Sequence, residues 1–232
     1  MRFLHRIRTA FGWGKGPQVL AARLGMSLED LQRVRVRYSE VRIPKRSGGS
    51  RTLLIPNDET KEIQRRILRR LLARLRAHPC ATGFERGRSI VDNARPHVGR
   101  YVVIKMDVID FFPSTTSRRV EAYFRRIGWN KRAAALLTTL TTCDDALPQG
   151  APTSPRLSNL VNYGLDEYLA LKVAGRYGHY TRYADDITIS FDRHRFRWRD
   201  ATRVRGTVQL AARALKAHGY RAHRNRKLKV LY

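Results

Sequence analysis

The stretch Tyr177–Phe191 limits what this chain can fold into more than any other. Its second half, Ile187-Thr188-Ile189-Ser190-Phe191, alternates apolar and polar residues with the period of a half-buried strand. Ahead of it, Tyr177-Gly178-His179-Tyr180-Thr181-Arg182 also reads as a strand, and only Tyr183-Ala184-Asp185-Asp186 separates the two. So short a gap closes as a hairpin, which carries two carboxylates at its tip. Adjacent carboxylates repel each other. A divalent cation between them removes that cost, and hard cations such as Mg²⁺ take oxygen ligands. Taken alone, the stretch is better explained as a solvated turn, because Asp is a common turn residue.

A second segment changes that balance. Tyr101-Val102-Val103-Ile104-Lys105-Met106-Asp107 is an apolar run ending in an acid, the pattern of a buried central strand. Asp107 is expected at the strand end, where sites gather. The tight turn Asp110-Phe111-Phe112-Pro113-Ser114 follows. If this strand pairs with the hairpin in one sheet, Asp107, Asp185 and Asp186 converge. Convergent acids are what a two-metal site requires, with ions about 3.5–4 Å apart.

The remaining segments alternate between helices and turns. A helical stretch is expected over residues 17–36, broken at Gly25, with Ser27 as a cap and Asp30 three residues on. Val41–Lys45 and Arg51–Pro56 read as strands joined by Ser47-Gly48-Gly49-Ser50, so Lys45 and Arg51 flank a mobile tip and could fork a triphosphate. Thr60–Ala77 is an amphipathic helix with Ile63, Ile67, Leu68, Leu71, Leu72 and Leu75 as its stripe. Its other face, including Arg65 and Arg69, suits a phosphate backbone. Ala81–Ile90 is a loop with two glycines. His97, with no second His or Cys nearby, is expected to make structural hydrogen bonds. Helices are expected over Ser117–Gly128, Lys131–Thr142, Arg156–Val173 and Ala201–Ala217, the last ended by Gly219. Pro155 sits near a helix start, following the Gly/Pro loop Leu147–Pro155. The basic segment Tyr220–Tyr232 is expected to hold a final strand.

At 232 residues the chain can bury a full core. Lys and Arg number 47 against 19 Asp and Glu, a formal charge of +28 that calls for a polyanionic partner. Nucleic acid comes first and an anionic membrane surface second. No apolar run is long enough to span a bilayer. Cys80 and Cys143 form neither a metal-ligand spacing nor a disulfide framework, which suits a reducing, cytoplasmic compartment. The basic stretch Met1–Arg8 lacks the apolar core of a secretory signal.

Taken together, these motifs resemble the reverse transcriptases. Tyr183-Ala184-Asp185-Asp186 looks like their catalytic box, and Met106–Ser114 resembles their first palm motif. Leu147–Pro155 resembles the loop that contacts template and nucleotide. The hairpin with Lys45 and Arg51 resembles the fingers, and Asn93-Ala94-Arg95-Pro96-His97 is similar to an element of retron enzymes. The motifs run in order from about Leu20 to Tyr232.

The resemblance implies an α+β polymerase right-hand fold, with a ferredoxin-like antiparallel palm and helical fingers. Residues 1–36 would be an N-terminal helical segment, 37–100 the fingers and 101–232 the palm. Asp107, Asp185, Asp186 and the Val108 carbonyl would hold two Mg²⁺ ions. Lys45, Arg51, Asp110, Phe111, Phe112 and Gln149 would bind the nucleotide, Phe112 excluding a 2′-hydroxyl. Tyr183, Gly150, Ser154, Arg65 and Arg69 would meet primer or template. Implied partners are a structured non-coding RNA, its DNA product and deoxynucleoside triphosphates, with a role in anti-phage defence. An effector protein or a separate thumb subunit would complete the set.

The sequence departs from retron enzymes after Gly219. His223 stands where they carry Asn, and Arg226 or Lys227 must serve for their Lys. The sequence stops at Tyr232 before any primer-grip, thumb or Val-Thr-Gly element, so a thumbless chain, a fragment or half of a split enzyme is expected. Alternative readings are a group II intron or CRISPR-associated reverse transcriptase, and a non-catalytic RNA-binding scaffold.

Overall fold

The computed structural model describes residues 14–44, 48–193, 201–223 and 229–231. The chain divides into two compact units, each made of two stretches: Met1–Arg76 with Thr115–Val161, and Ala77–Ser114 with Asn162–Tyr232. Lys45, Arg226, Lys227 and the Met1–Arg8 stretch lie outside the described residues.

In the first unit the helical stretch over residues 17–36 is two helices, Pro17–Leu24 and Leu28–Arg33. Gly25 adopts φ 68° and ends the first, and the Ser27 hydroxyl accepts from the Asp30 N–H to start the second. Strands β1 (Tyr38–Pro44) and β2 (Ser50–Pro56) pair antiparallel, from Tyr38 opposite Pro56 to Pro44 opposite Ser50. The helix that follows spans Asp58–Ile67, capped by the Asn57 side chain, and continues as a π-helix over Leu68–Leu72. The regular helix expected to Ala77 therefore gives way early. Within it Gln64 is buried and donates to the Tyr38 hydroxyl (2.6 Å) and the Leu140 carbonyl (2.9 Å). Helices Ser117–Arg126, Lys131–Thr141 and Ser154–Val161 complete this unit.

The second unit is built on a sheet. Its strands are β3 (Val102–Ile109), β4 (Gly178–Tyr183), β5 (Asp186–Phe191), β6 (Arg221–Ala222) and β7 (Lys229–Leu231). The order is β4-β5-β3-β6, with β7 also on β3, and every pairing is antiparallel. β3 is thus a central strand, as its apolar run predicts. Strand alternation puts Val102, Ile104, Met106 and Val108 on one face beside Ile187, Ile189 and Phe191. Helices Tyr163–Ala174 and Ala201–Ala217 share that core through Leu165, Leu169, Val173, Ala211 and Leu215.

The single helix expected over Arg156–Val173 is interrupted at Asn162, whose backbone leaves helical geometry (φ −88°, ψ 8°). The buried Asn162 side chain donates to the Tyr220 hydroxyl at 2.8 Å, a tertiary bond that no local pattern announces. No described helix is long and apolar enough to cross a membrane.

Candidate active site

The register of β3 on β5 sets Asp107 opposite Asp186, and that of β4 on β5 sets Tyr183 opposite the same residue. These three residues form one cross-strand row, on the face away from the apolar core. Asp185 lies in the two-residue turn, whose carbonyl accepts from the Val108 N–H at 3.0 Å. The acidic turn is therefore tied to β3 one residue beyond Asp107. Asp107 is not at the end of its strand, as the sequence suggests, but at the end of its pairing with β5. Val108 and Ile109 continue the strand against Ala222 and Arg221 of β6. That exchange of partners also brings in His223, whose N–H donates to the Asp107 carbonyl at 2.9 Å and whose Nε2 is 3.5 Å from the carboxylate.

Exposure differs among the acids: Asp107 is buried, Asp185 half-buried and Asp186 exposed. Their carboxylate oxygens suit a hard divalent cation. Among the described residues, however, no group of three His, Cys, Asp or Glu side chains forms a metal-holding cluster. The acids are gathered by backbone register but are not closed into a ligand cage.

The turn is held from behind by a group that the strand pattern does not anticipate. Alternation points Arg182, opposite Ile187, into the core face, where it is fully buried. Its partner is Asp166, fully buried on the helix Tyr163–Ala174. Arg182 Nε donates to Asp166 Oδ1 at 2.7 Å and Nη2 to Oδ2 at 2.6 Å, a bidentate fork. The Tyr180 hydroxyl also donates to Asp166, at 2.8 Å. The third guanidinium nitrogen, Nη1, donates to the Ala184 carbonyl at 3.0 Å. Ala184 sits at φ 57°, a left-handed conformation costly for a residue with a β-carbon. Arg182 thus grips the strained residue that carries Asp185. Burial opposes the guanidinium charge, but the Asp166 carboxylate outweighs it and holds the group protonated above the ordinary arginine range. Burial, and then Asp166, push the Tyr180 hydroxyl well above its usual value.

Phe111 and Phe112 part company after β3. Phe111 is only 5% exposed, stacked on Tyr220 at 5.6 Å with the Arg182 guanidinium 5.4 Å from its ring centre. Both neighbours are themselves buried. Phe112 is half-buried, its ring 5.5 Å from that of Phe111. Asp110 is exposed, at φ 47°, and its carbonyl accepts from the Ser114 N–H at 2.7 Å. His97 is buried, with Nδ1 2.7 Å from the Ser190 hydroxyl and Nε2 2.8 Å from that of Thr181.

The other expected residues belong to the first unit. Arg51 is exposed on β2. The Gln149 carbonyl accepts from the Leu54 N–H at 2.8 Å. Gly150, at φ 128°, lies so close to β2 that a β-carbon would stand 2.8 Å from the Leu54 carbonyl oxygen. Arg65 and Arg69 are exposed, and Arg69 is 3.4 Å from Glu62, which also pairs with Arg66. Ser154 is 1% exposed. It opens the helix Ser154–Val161, whose first turn packs inward through Leu157 and Ser158.

Sequence reasoning missed Arg182 and Asp166. The signal was there: a charged residue at a core position of a strand, and an acid between Leu165 and Leu169 on an apolar helix. A pair of opposite charges at inward positions is the pattern to look for.

Comparison with known proteins gives the family. The reverse transcriptase (RNA-dependent DNA polymerase) family matches over residues 43–230. The chain is 41% identical to the retron Mx65 reverse transcriptase of Myxococcus xanthus, over 89% of this chain and 53% of that protein. It is 36% identical to the retron Mx162 reverse transcriptase of the same organism, over 89% of this chain and 48% of the relative. With the retron Ec86 reverse transcriptase of Escherichia coli it shares 41% identity over 60% of this chain and 44% of the relative. The chain spans about half the length of the curated relatives it matches. It belongs to the reverse transcriptase (RNA-dependent DNA polymerase) family and is of its retron type.

Proposed function

We propose that this chain catalyses RNA-directed DNA synthesis of the retron kind, with Asp107, Asp185 and Asp186 as its catalytic carboxylates. The observation that carries the reading is the ladder register: Asp107 opposite Asp186, with the Asp185 carbonyl bonded to the Val108 N–H. That arrangement puts three acids on adjoining backbone positions at one end of one sheet. We read this sheet, with its two covering helices, as a ferredoxin-like palm and the β1–β2 hairpin as part of the fingers.

Asp107, Asp185 and Asp186, with the Val108 carbonyl, would hold two Mg²⁺ ions, which when bound supply activation of a 3′-hydroxyl and charge neutralisation at the leaving pyrophosphate. The chain itself contributes position. Tyr183, in the same cross-strand row as Asp107 and Asp186, would meet the primer end. Phe112 would lie against the sugar and reject a 2′-hydroxyl. Asp110, Gln149, Lys45 and Arg51 would line the rest of the nucleotide, and Arg65 and Arg69 the template backbone. The substrates would be deoxynucleoside triphosphates and a structured non-coding RNA. The retron names of the relatives favour this reading over a group II intron or CRISPR-associated enzyme. A part in anti-phage defence follows from the resemblance alone.

The test is single-nucleotide addition on an RNA template. Asp107→Asn and Asp185→Asn should each abolish Mg²⁺-dependent addition while RNA binding, carried by the basic surface, is retained. Normal extension by either variant would refute the assignment. An inactive wild type that binds RNA normally would favour the scaffold reading.

A further inference from the structure

We infer that Phe84 is a positioning residue for nucleotide selection, a second aromatic neighbour that, with Phe111, holds the Phe112 ring in place. The inference rests on the proposed role of Phe112 and goes beyond it.

Three observations carry it. First, the loop bearing Phe84 is fastened to the acidic hairpin. The Thr82 N–H donates to the Arg182 carbonyl at 2.9 Å, and the Arg182 N–H to the Cys80 carbonyl at 2.8 Å. Gly83 then packs so closely that a β-carbon there would stand 2.7 Å from the Ala184 nitrogen. Any other residue at position 83 would lift the loop off the turn.

Second, Phe84 itself sits at φ 63° and is 44% exposed. Left-handed backbone disfavours a residue with a β-carbon, and a ring left largely in water recovers little through burial. Folding alone gives no reason for a large aromatic at this position. Exposed, strained residues of this kind concentrate at functional sites.

Third, the ring touches two aromatic groups of the candidate site. Its centre is 6.1 Å from that of Phe112, inclined at 41°, and 6.4 Å from that of Tyr183, inclined at 40°. Phe112 therefore has two aromatic neighbours, Phe111 at 5.5 Å and 63° and Phe84 at 6.1 Å and 41°. Phe111 is locked in the core. Phe84 comes from the loop fastened to the hairpin, so it couples the ring that would read the sugar to the turn that carries Asp185.

The experiment measures the ratio of deoxy- to ribonucleotide incorporation in single-nucleotide addition, together with thermal stability, for wild type, Phe84→Gly, Phe84→Ala, Phe84→Tyr and Phe112→Ala. An aromatic contact of this geometry translates into a loss of selectivity of about threefold to tenfold in Phe84→Gly and Phe84→Ala. Phe84→Tyr should keep the wild-type ratio. Glycine relieves the left-handed backbone, so Phe84→Gly should melt no lower than wild type while losing selectivity, a combination a purely structural role does not produce. Phe84→Ala added to Phe112→Ala should change nothing further, because Phe84 acts through that ring. An unchanged ratio in both truncations, or an additive double variant, overturns the inference and leaves the polymerase reading standing. A wild type with no Mg²⁺-dependent addition overturns both.

Discussion

Replacing Asp166 with alanine tests how the acidic turn is held. The substitution removes both carboxylate oxygens of the fork, the acceptor of the Tyr180 hydroxyl, and the counter-charge of a guanidinium with no exposed surface. Breaking one partner out of a buried pair costs about 3–5 kcal/mol, because the remaining charge has neither water nor a partner. A domain is stable by about 5–15 kcal/mol, so the loss is a large share of the total. For a chain of this size each kcal/mol moves Tm by about 2–4 °C, so Asp166→Ala should melt about 6–20 °C below wild type. Circular dichroism melts and urea titrations measure this directly. The companion variant is Asp166→Leu with Arg182→Met and Tyr180→Phe, which removes both charges together with the hydroxyl that would lose its acceptor. Such replacements of buried pairs are often neutral or stabilising, so this variant should fold near the wild-type Tm. It also lacks the bond from Nη1 to the Ala184 carbonyl, the link that steadies the turn. We therefore expect normal stability with nucleotide addition reduced at saturating nucleotide. A fall in Tm of less than about 2 °C for Asp166→Ala would refute the energetic reasoning. A fully active, stable companion variant would refute the claim that the fork positions the turn.

Two further predictions concern the same units. Burial, reinforced by His179 and Arg100, lowers the His97 pKa from 6.5 to about 4. The unfolded chain then binds the extra proton first, so stability should be full above about pH 6.5 and fall as pH drops toward 4. Urea titrations of wild type and His97→Gln across that window check it, and an equal acid slope in both would count against the assignment. Gly150→Ala puts a β-carbon 2.8 Å from the Leu54 carbonyl oxygen at φ 128°, so it should destabilise by more than about 1 kcal/mol. A denaturation midpoint within error of wild type would show that β2 can shift to accommodate it.

Much of the local structure was legible in the sequence because its causes lie within a few residues. The two-residue alternation of Ile187–Phe191 and the short gap before it specify the β4–β5 hairpin. The apolar run before Asp107 specifies a central strand, and Ser27 with Asp30 marks a helix start. Tertiary structure decided what depends on distant partners. Periodicity says that Arg182 faces inward but not that Asp166, sixteen residues earlier, receives it. It cannot separate Phe111 from Phe112, because Phe111 is buried against distant partners, Tyr220 and Arg182. It cannot see Asn162 break a helix to reach Tyr220, or Thr82 and Gly83 fasten the Phe84 loop to the hairpin. Whether Asp107 would stand opposite Asp186 was likewise a question of register. A strand's side chains repeat every two residues whichever partner it takes, and the partner is chosen only when the core on the sheet closes.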